Sequence, residues 1–143
     1  MEQRLNDRLS NYWNRLCKDG RIPAIESFNS GAMADIWQQC AKISVTEAGT
    51  RTYYFEFMGE SLAKVLGKSM SGERVIANML TSPKFKLIHH LDSLVAKTQP
   101  TTEEGQFVNE KSKVVKYRSI ILPFGKDNEH ITHFILGVSW REF

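Results

Sequence analysis

Gly67-Lys68-Ser69 is the stretch of this 143-residue chain whose residue types come nearest to a phosphate-binding signature. A nucleotide loop needs G-x-x-x-x-G-K-[ST], because backbone N–H groups must wrap the phosphate from a glycine five residues upstream. Leu62 stands at that position, and the nearest upstream glycine is Gly59. Between them Leu62, Val65 and Leu66 recur at helical spacing, so Gly67 reads as the glycine that ends a helix. The histidines fare no better as a metal site. His89 and His90 are adjacent on a predicted helix and point about 100° apart, while His130 and His133 project to opposite faces of a predicted strand. Cys17 and Cys40 lack any C-x-x-C spacing and read as structural thiols. There is no G-x-S-x-G, and Glu103-Glu104 and Asp127/Glu129 sit at turns or strand ends, where solvated carboxylates are expected. The residue types thus point to no catalytic residues and no metal.

Composition narrows the class. With 41% hydrophobic and 24% charged residues the chain has the make-up of a globular protein, and its length suits one domain burying its own core. A net charge of +3 is too small to imply nucleic acid. The densest basic cluster, Lys111 to Arg118, alternates with Val115 and Tyr117 and reads as the solvated side of a strand. No apolar run is long enough to cross a bilayer and no leader pattern opens the chain, so no membrane insertion and a reduced, cytoplasmic location are expected.

The elements follow from periodicity. Arg4–Lys18 is an amphipathic helix with Leu5, Leu9, Tyr12, Trp13 and Leu16 on one face, ended by Gly20 and Pro23. A short helix is expected from Ala32. Trp37–Thr46 and Arg51–Met58 alternate in polarity and form a hairpin, with Tyr53, Phe55 and Phe57 along one face of the second strand. After Glu60–Leu66 comes a stronger helix, Lys84–Lys97, with Ser82 as N-cap and Pro83 at its first turn. Thr101–Asn109, Lys113–Phe124 and His130–Trp140 are strands, the last two joined by a loop over 125–129. This order gives an α+β fold: an antiparallel sheet with its helices gathered on one face. Lys113–Phe124 is apolar on both sides, with Val115, Tyr117 and Ile121 on one and Val114, Ile120, Leu122 and Phe124 on the other. The second face needs a cover, and the N-terminal helix is the available one, in cis or across a dimer.

Several local motifs occur in a recognisable order: Tyr12-Trp13 and Gly20-Arg21-Ile22-Pro23, then Tyr53 to Gly59, Leu66-Gly67, Ser71-Gly72, Leu122-Pro123-Phe124 and Leu136-Gly137. Over about residues 8–140 the chain resembles the small PAS-domain family found mainly in alphaproteobacteria. The resemblance implies a PAS-like five-stranded antiparallel sheet curled around short helices, with residues 1–22 as an N-terminal cap helix and 23–143 as the domain. It implies a non-catalytic, stand-alone sensor or adaptor in bacterial signalling that works by small-ligand binding or protein–protein interaction. The pocket candidates are then Tyr53, Phe55, Phe57, Leu66, Met70, Leu91 and Tyr117, and the interface candidates Leu5, Leu9, Tyr12, Trp13 and Leu16. A homodimer and a signalling-protein partner are expected. Haem proteins of this fold take an axial histidine from a central helix, which His89 or His90 could supply, but a packing role is the expectation for both. A flavin photoreceptor of this fold needs an Asn-Cys-Arg helix motif that the chain lacks, so neither cofactor is expected. Two other classes stay open: a small cone-shaped enzyme or carrier of an apolar ligand, with Glu56 as base if it faced inward, and a purely structural dimerisation module.

Overall fold

Alternating side chains assemble one five-stranded antiparallel sheet in a computed structural model that describes residues 4–47, 49, 51–75 and 91–143. The strands are β1 (Cys40–Thr46), β2 (Thr52–Met58), β3 (Thr101–Val108), β4 (Val114–Asp127) and β5 (His130–Glu142), in spatial order β2-β1-β5-β4-β3. The helices are α1 (Leu5–Leu16), α2 (Glu60–Leu66) and α3 (Leu91–Leu94), with short 3-10 turns at Ile25–Ser27, Ser30–Met33 and Trp37–Gln39. Of the expected helix Lys84–Lys97, residues 84–90 lie outside the described residues, as do Ser82 and Pro83.

The register separates two faces. On the inner face Ile43 lies opposite both Phe55 and Phe134, Ala41 opposite Leu136, and Val115, Tyr117, Ser119 and Ile121 share one side of β4. The outer face carries Ile120, Leu122 and Phe124 of β4 opposite Gly137, Ile135 and His133 of β5. Apart from Ser119 and the half-buried His133 both rows are apolar and buried, so the sheet is stable only if each face is covered.

The N-terminal helix α1 covers the outer face in cis, lying across β4 and β5. Leu5, Leu9 and Trp13 recur at four-residue steps and are 8%, 0% and 3% exposed, each burial stabilising by roughly 1.5–3 kcal/mol. Gly137 permits the approach: a Cβ there would stand 2.3 Å from Leu9 Cδ1 and 2.9 Å from Leu5 Cδ2. Two hydrogen bonds fix the helix along the strand. Asn6 Nδ2 donates to the Ser119 carbonyl at 3.2 Å, and Trp13 Nε1 donates to the Pro123 carbonyl at 2.7 Å. The latter is possible because β3 starts opposite Ile121, so Pro123 projects past it with its N and carbonyl on a side with no strand partner. Proline, lacking an N–H, is tolerated there.

Several boundaries differ from the sequence expectation: Trp37–Gln39 is a 3-10 turn where the first strand was expected to begin, the helix expected to reach Lys97 ends at Leu94, and α1 and the β4–β5 loop are each shorter. The helix α1 ends at Leu16 rather than at Lys18. Beyond it Asp19 (φ 53°) and Gly20 (φ 72°) turn the chain, and the Asn128 side chain binds it by accepting from Ile22 N–H at 2.8 Å and donating to the Gly20 carbonyl at 3.1 Å. That clamp lies in the β4–β5 turn, over 100 residues away. The loop expected over 125–129 is also shorter: β4 runs to Asp127 through register shifts at Phe124/Gly125 and Gly125/Asp127, leaving Asn128-Glu129 as the turn. At the far edge, residues 72–75 pair with β2, through Phe55 N–H to the Glu73 carbonyl at 2.9 Å and Val75 N–H to the Tyr53 carbonyl at 2.8 Å.

Trp13→Ala should therefore cost about 3–5 kcal/mol of stability in urea denaturation, and Leu16→Ala distinctly less because Leu16 is only half-buried. Removal of residues 1–19 should expose the outer face and give aggregation or altered mass in light scattering; a truncated protein that stays soluble at unchanged mass contradicts this packing.

Candidate functional site

The aromatic and aliphatic side chains proposed to form a pocket converge on the inner face with one exception. Tyr53 and Phe55 on β2, Leu66 at the end of α2, Met70, Leu91 on α3 and Tyr117 on β4 are all buried in one continuous core. Phe57 is the exception. The β1–β2 ladder pairs Ile43 with Phe55 but Lys42 with Phe57, so one extra residue is inserted on β2 at Glu56. This bulge breaks the two-residue repeat. Phe57 goes to the outer face, where its ring stacks on Trp37 at 4.9 Å and 4° between planes. Met58 takes the inner position opposite Ala41.

The segment of the opening motif fits this arrangement. Leu62 is fully buried, and Gly67 has φ 89°, the left-handed conformation that ends α2 with its N–H donating to the Lys64 carbonyl at 3.2 Å. Lys68 is exposed and paired with Glu73 at 3.7 Å. A glycine-rich cradle is absent among the described residues of this segment.

Polar groups on the inner face are few. The Tyr53 hydroxyl donates to Asp92 of α3, tying β2 to the helical layer. Burial pushes the Tyr53 hydroxyl well above the usual tyrosine range, and the Asp92 carboxylate adds to the effect. Tyr117 extends across β3, so that a Cβ on Gly105 would lie 2.3 Å from its hydroxyl oxygen; no other residue fits beneath it. The Tyr117 side chain is 4% exposed and its hydroxyl has no hydrogen-bond partner among the described residues. Burial raises its pKa, with the nearby Glu103 carboxylate contributing. Glu103 pairs with Ser119 and so faces inward, whereas Glu104 pairs with Arg118 outside at 3.0 Å. The expectation that both carboxylates of this pair are solvated is corrected for Glu103, because alternation on β3 separates them. Asp92, Gly105, Ser119 and Glu103 were not singled out from the sequence. The parity of Tyr117, carried across the β3–β4 ladder, is the signal that would have found the last three.

Glu56 does not serve the inner face. Its carboxylate meets Lys42 Nζ at 3.2 Å and His133 Nε2 at 3.2 Å on the outer face. Partial burial pushes the Glu56 carboxyl up, but Lys42 and then His133 outweigh it and hold the group below its ordinary value. His130 binds Asp127 at 2.8 Å in the exposed β4–β5 turn, and His89 and His90 lie outside the described residues. Among the described residues no group of three His, Cys, Asp or Glu side chains could hold a metal. Cys40 at the start of β1 is fully buried, its thiol pushed up to about 12 by burial, and Cys17 caps α1 with its thiol raised for the same reason. Neither lies between β2 and β3, where the helical layer faces the sheet.

Of the interface candidates, Leu5, Leu9 and Trp13 are used within the chain against β4 and β5. In the single chain they cover the outer face of their own sheet, the cis alternative of the two that the sequence left open. Tyr12 and Leu16 are half-buried. Tyr12 is edge-on to Phe28 at 5.4 Å, and Phe28 meets Trp37 at 5.4 Å and Phe124 at 5.7 Å. A shallow groove of about 590 Å3 runs between α1 and Ser30–Met33, lined by Arg8, Asn11, Asn14, Arg15, Ala32 and Met33, on the side away from the inner face. Arg8 there is held by both oxygens of Asp35.

No protein-family model and no curated protein matches the chain. Solved structures do. A light-oxygen-voltage domain studied with a flavin analogue superposes with a TM-score of 0.55 at 10% identity, over 80% of this chain and 86% of that one. The PAS domain of BvgS from Bordetella pertussis gives 0.53 at 14% identity, over 80% and 88%. The light-oxygen-voltage domain of the blue-light photoreceptor Aureochrome1 in its light state gives 0.50 at 11% identity, over 76% and 84%.

Since its stabilised form is the charged one, Glu56 contributes to folding above the ordinary carboxyl value of about 4.5 and loses that contribution as pH falls through its lowered value. Glu56→Gln should therefore flatten the loss of stability between pH 5 and 3, by no more than about 1 kcal/mol because solvent screens the pair. An unchanged pH profile in urea titrations contradicts this. Taken together, the strand order, the antiparallel ladders and these superpositions establish the fold as that of PAS and light-oxygen-voltage domains.

Proposed function

We propose that the chain is a non-catalytic sensor or adaptor domain in bacterial signalling, of the small PAS-domain family that its motifs resemble. It binds an apolar small molecule against the inner face of the sheet and passes the event to a protein partner. Residues 23–143 form the sensing domain, residues 1–22 its cap, and the working form is a homodimer in the cytoplasm. The observation that carries this reading is the inner face itself. It is lined by Tyr53, Phe55, Leu66, Met70, Leu91 and Tyr117, and the buried hydroxyl of Tyr117 has no partner among the described residues. A buried hydroxyl without a partner costs roughly 1–3 kcal/mol, which a ligand with a hydrogen-bond acceptor would recover. The two cysteines lie outside the β2–β3 helical layer, so a flavin-cysteine bond has no sulfur to form on there, and we expect no coloured cofactor.

Glu103 favours a second reading, an enzyme or carrier of an apolar substrate. Its register places a carboxylate on the inner face beside Tyr117. Glu56, the base considered from the sequence, is turned to the outer face and neutralised by Lys42.

Native mass spectrometry and an absorption spectrum of freshly purified protein test the first reading. A retained non-covalent mass without a visible band is expected, and it should be lost in Tyr117→Phe while the melting temperature of the ligand-free protein stays level or rises. A Soret or flavin band overturns the cofactor assignment. Tyr117→Phe that destabilises the ligand-free protein shows the hydroxyl to be satisfied within the chain, and the ligand role falls with it.

A further inference from the structure

The outer face is covered by α1 over only part of β4. From Ile120 onward the rows are buried, whereas three rows toward the other end lie open: Val108–Val114–Phe143, Gln106–Lys116–Arg141 and Glu104–Arg118–Ser139. Val108 is 62% and Phe143 66% exposed, two of the three large hydrophobic side chains so exposed among the described residues. In the next row Lys116 and Arg141 stand directly opposite each other. Like charges in that position destabilise a sheet, and neither has an ion pair among the described residues. Lys116 lies 5.0 Å from the centroid of the Phe143 ring, which joins the apolar row to the cationic one.

We propose that this open end of the outer face is a docking surface for an acidic, amphipathic segment of a partner protein. Apolar side chains of the segment would rest on Val108, Val114 and Phe143, and its carboxylates would bind Lys116 and Arg141. Three rows on three strands measure about 14 Å by 10 Å, the footprint of two to three turns of helix. An acidic amphipathic segment combines the two chemistries that the patch calls for: carboxylates for Lys116 and Arg141, which have no ion pair among the described residues, and apolar side chains for the Val108–Val114–Phe143 row. This surface is on the opposite side of the sheet from the inner face, so its test needs no ligand there.

The probe is a fluorescein-labelled, helix-favouring 12-residue peptide with leucines on one face and glutamates flanking them, titrated with the full chain and followed by anisotropy. Weak, saturable binding is expected, falling as salt is raised and falling about ten-fold or more in the double variant Lys116→Glu/Arg141→Glu. Phe143→Ser should weaken it separately. Both variants alter exposed side chains, and circular dichroism confirms that they fold. The proposal is overturned by absence of binding, by equal binding of a peptide with lysines in place of the glutamates, or by an unchanged affinity in the double variant. Preferential binding to phosphatidylglycerol vesicles, or a variant-sensitive dimer in light scattering, would replace the peptide with those occupants and equally overturn it.

Discussion

A sheet whose central strands are apolar on both sides cannot stand with one face in water, and the placement of α1 answers that constraint. β4 and β5 bury Ile120, Leu122, Phe124 and Ile135 outward while their alternate residues build the inner core. Covering them requires a helix with a wide apolar stripe and a place where it can come close. Leu5, Leu9 and Trp13 supply the stripe, and the missing side chain at Gly137 supplies the place. The hydrogen bond from Trp13 to Pro123 then fixes the helix at a stretch of β4 that runs past the start of β3. Once α1 is spent on this face, the chain gains a second layer, and the inner face is left to the helices between β2 and β3.

Much of this architecture was legible in local pattern. The two-sided apolarity of β4, the strand order and the glycine ending α2 all follow from residue spacing, because each depends on neighbours a few positions away. What escaped depends on pairing across the sheet. Phe57 keeps perfect alternation with Tyr53 and Phe55 in the sequence, and only the ladder with β1 reveals the residue inserted at Glu56 that turns it around. The end of α1 differs by two residues: the chain is already extended at Cys17, and Asp19 and Gly20 then turn it to where Asn128 binds it. Of the candidate pocket, the aromatic residues were visible as apolar positions, while Gly105 and Glu103 acquire meaning only from lying opposite Tyr117 and Ser119.

The polar groups of the molecule are sorted by face, and the sorting limits its chemistry. Glu56, Lys42 and His133 neutralise one another outside. Among the described residues the inner face keeps Tyr53, Tyr117, Ser119 and the inward carboxylate of Glu103. Tyr53 is committed to Asp92, which makes it a strut between sheet and helix. Tyr117 has no such commitment among the described residues, and its ring is held in place by Phe107 at 6.2 Å and by the space over Gly105. A group that is positioned by packing but not by hydrogen bonding is suited to recognise a ligand, since no internal bond has to break first.

The same strand links that group to the open end of the outer face. On β4 the residues Lys116, Tyr117, Arg118 and Ser119 alternate outward and inward, and the Ser119 carbonyl also receives Asn6 of α1. A displacement of Tyr117 that rotated its backbone would therefore act at once on Lys116, on Arg118 and on the helix cap. Such a link becomes signalling only if the strand has two arrangements whose affinities for ligand and partner differ, and the coupling equals that difference. The unfavourable pairing of Lys116 with Arg141 bears on this, because a partner that neutralises both charges stabilises whichever arrangement brings them together. Ligand on one face and acidic segment on the other would then bias a single element, β4, without any contact between them.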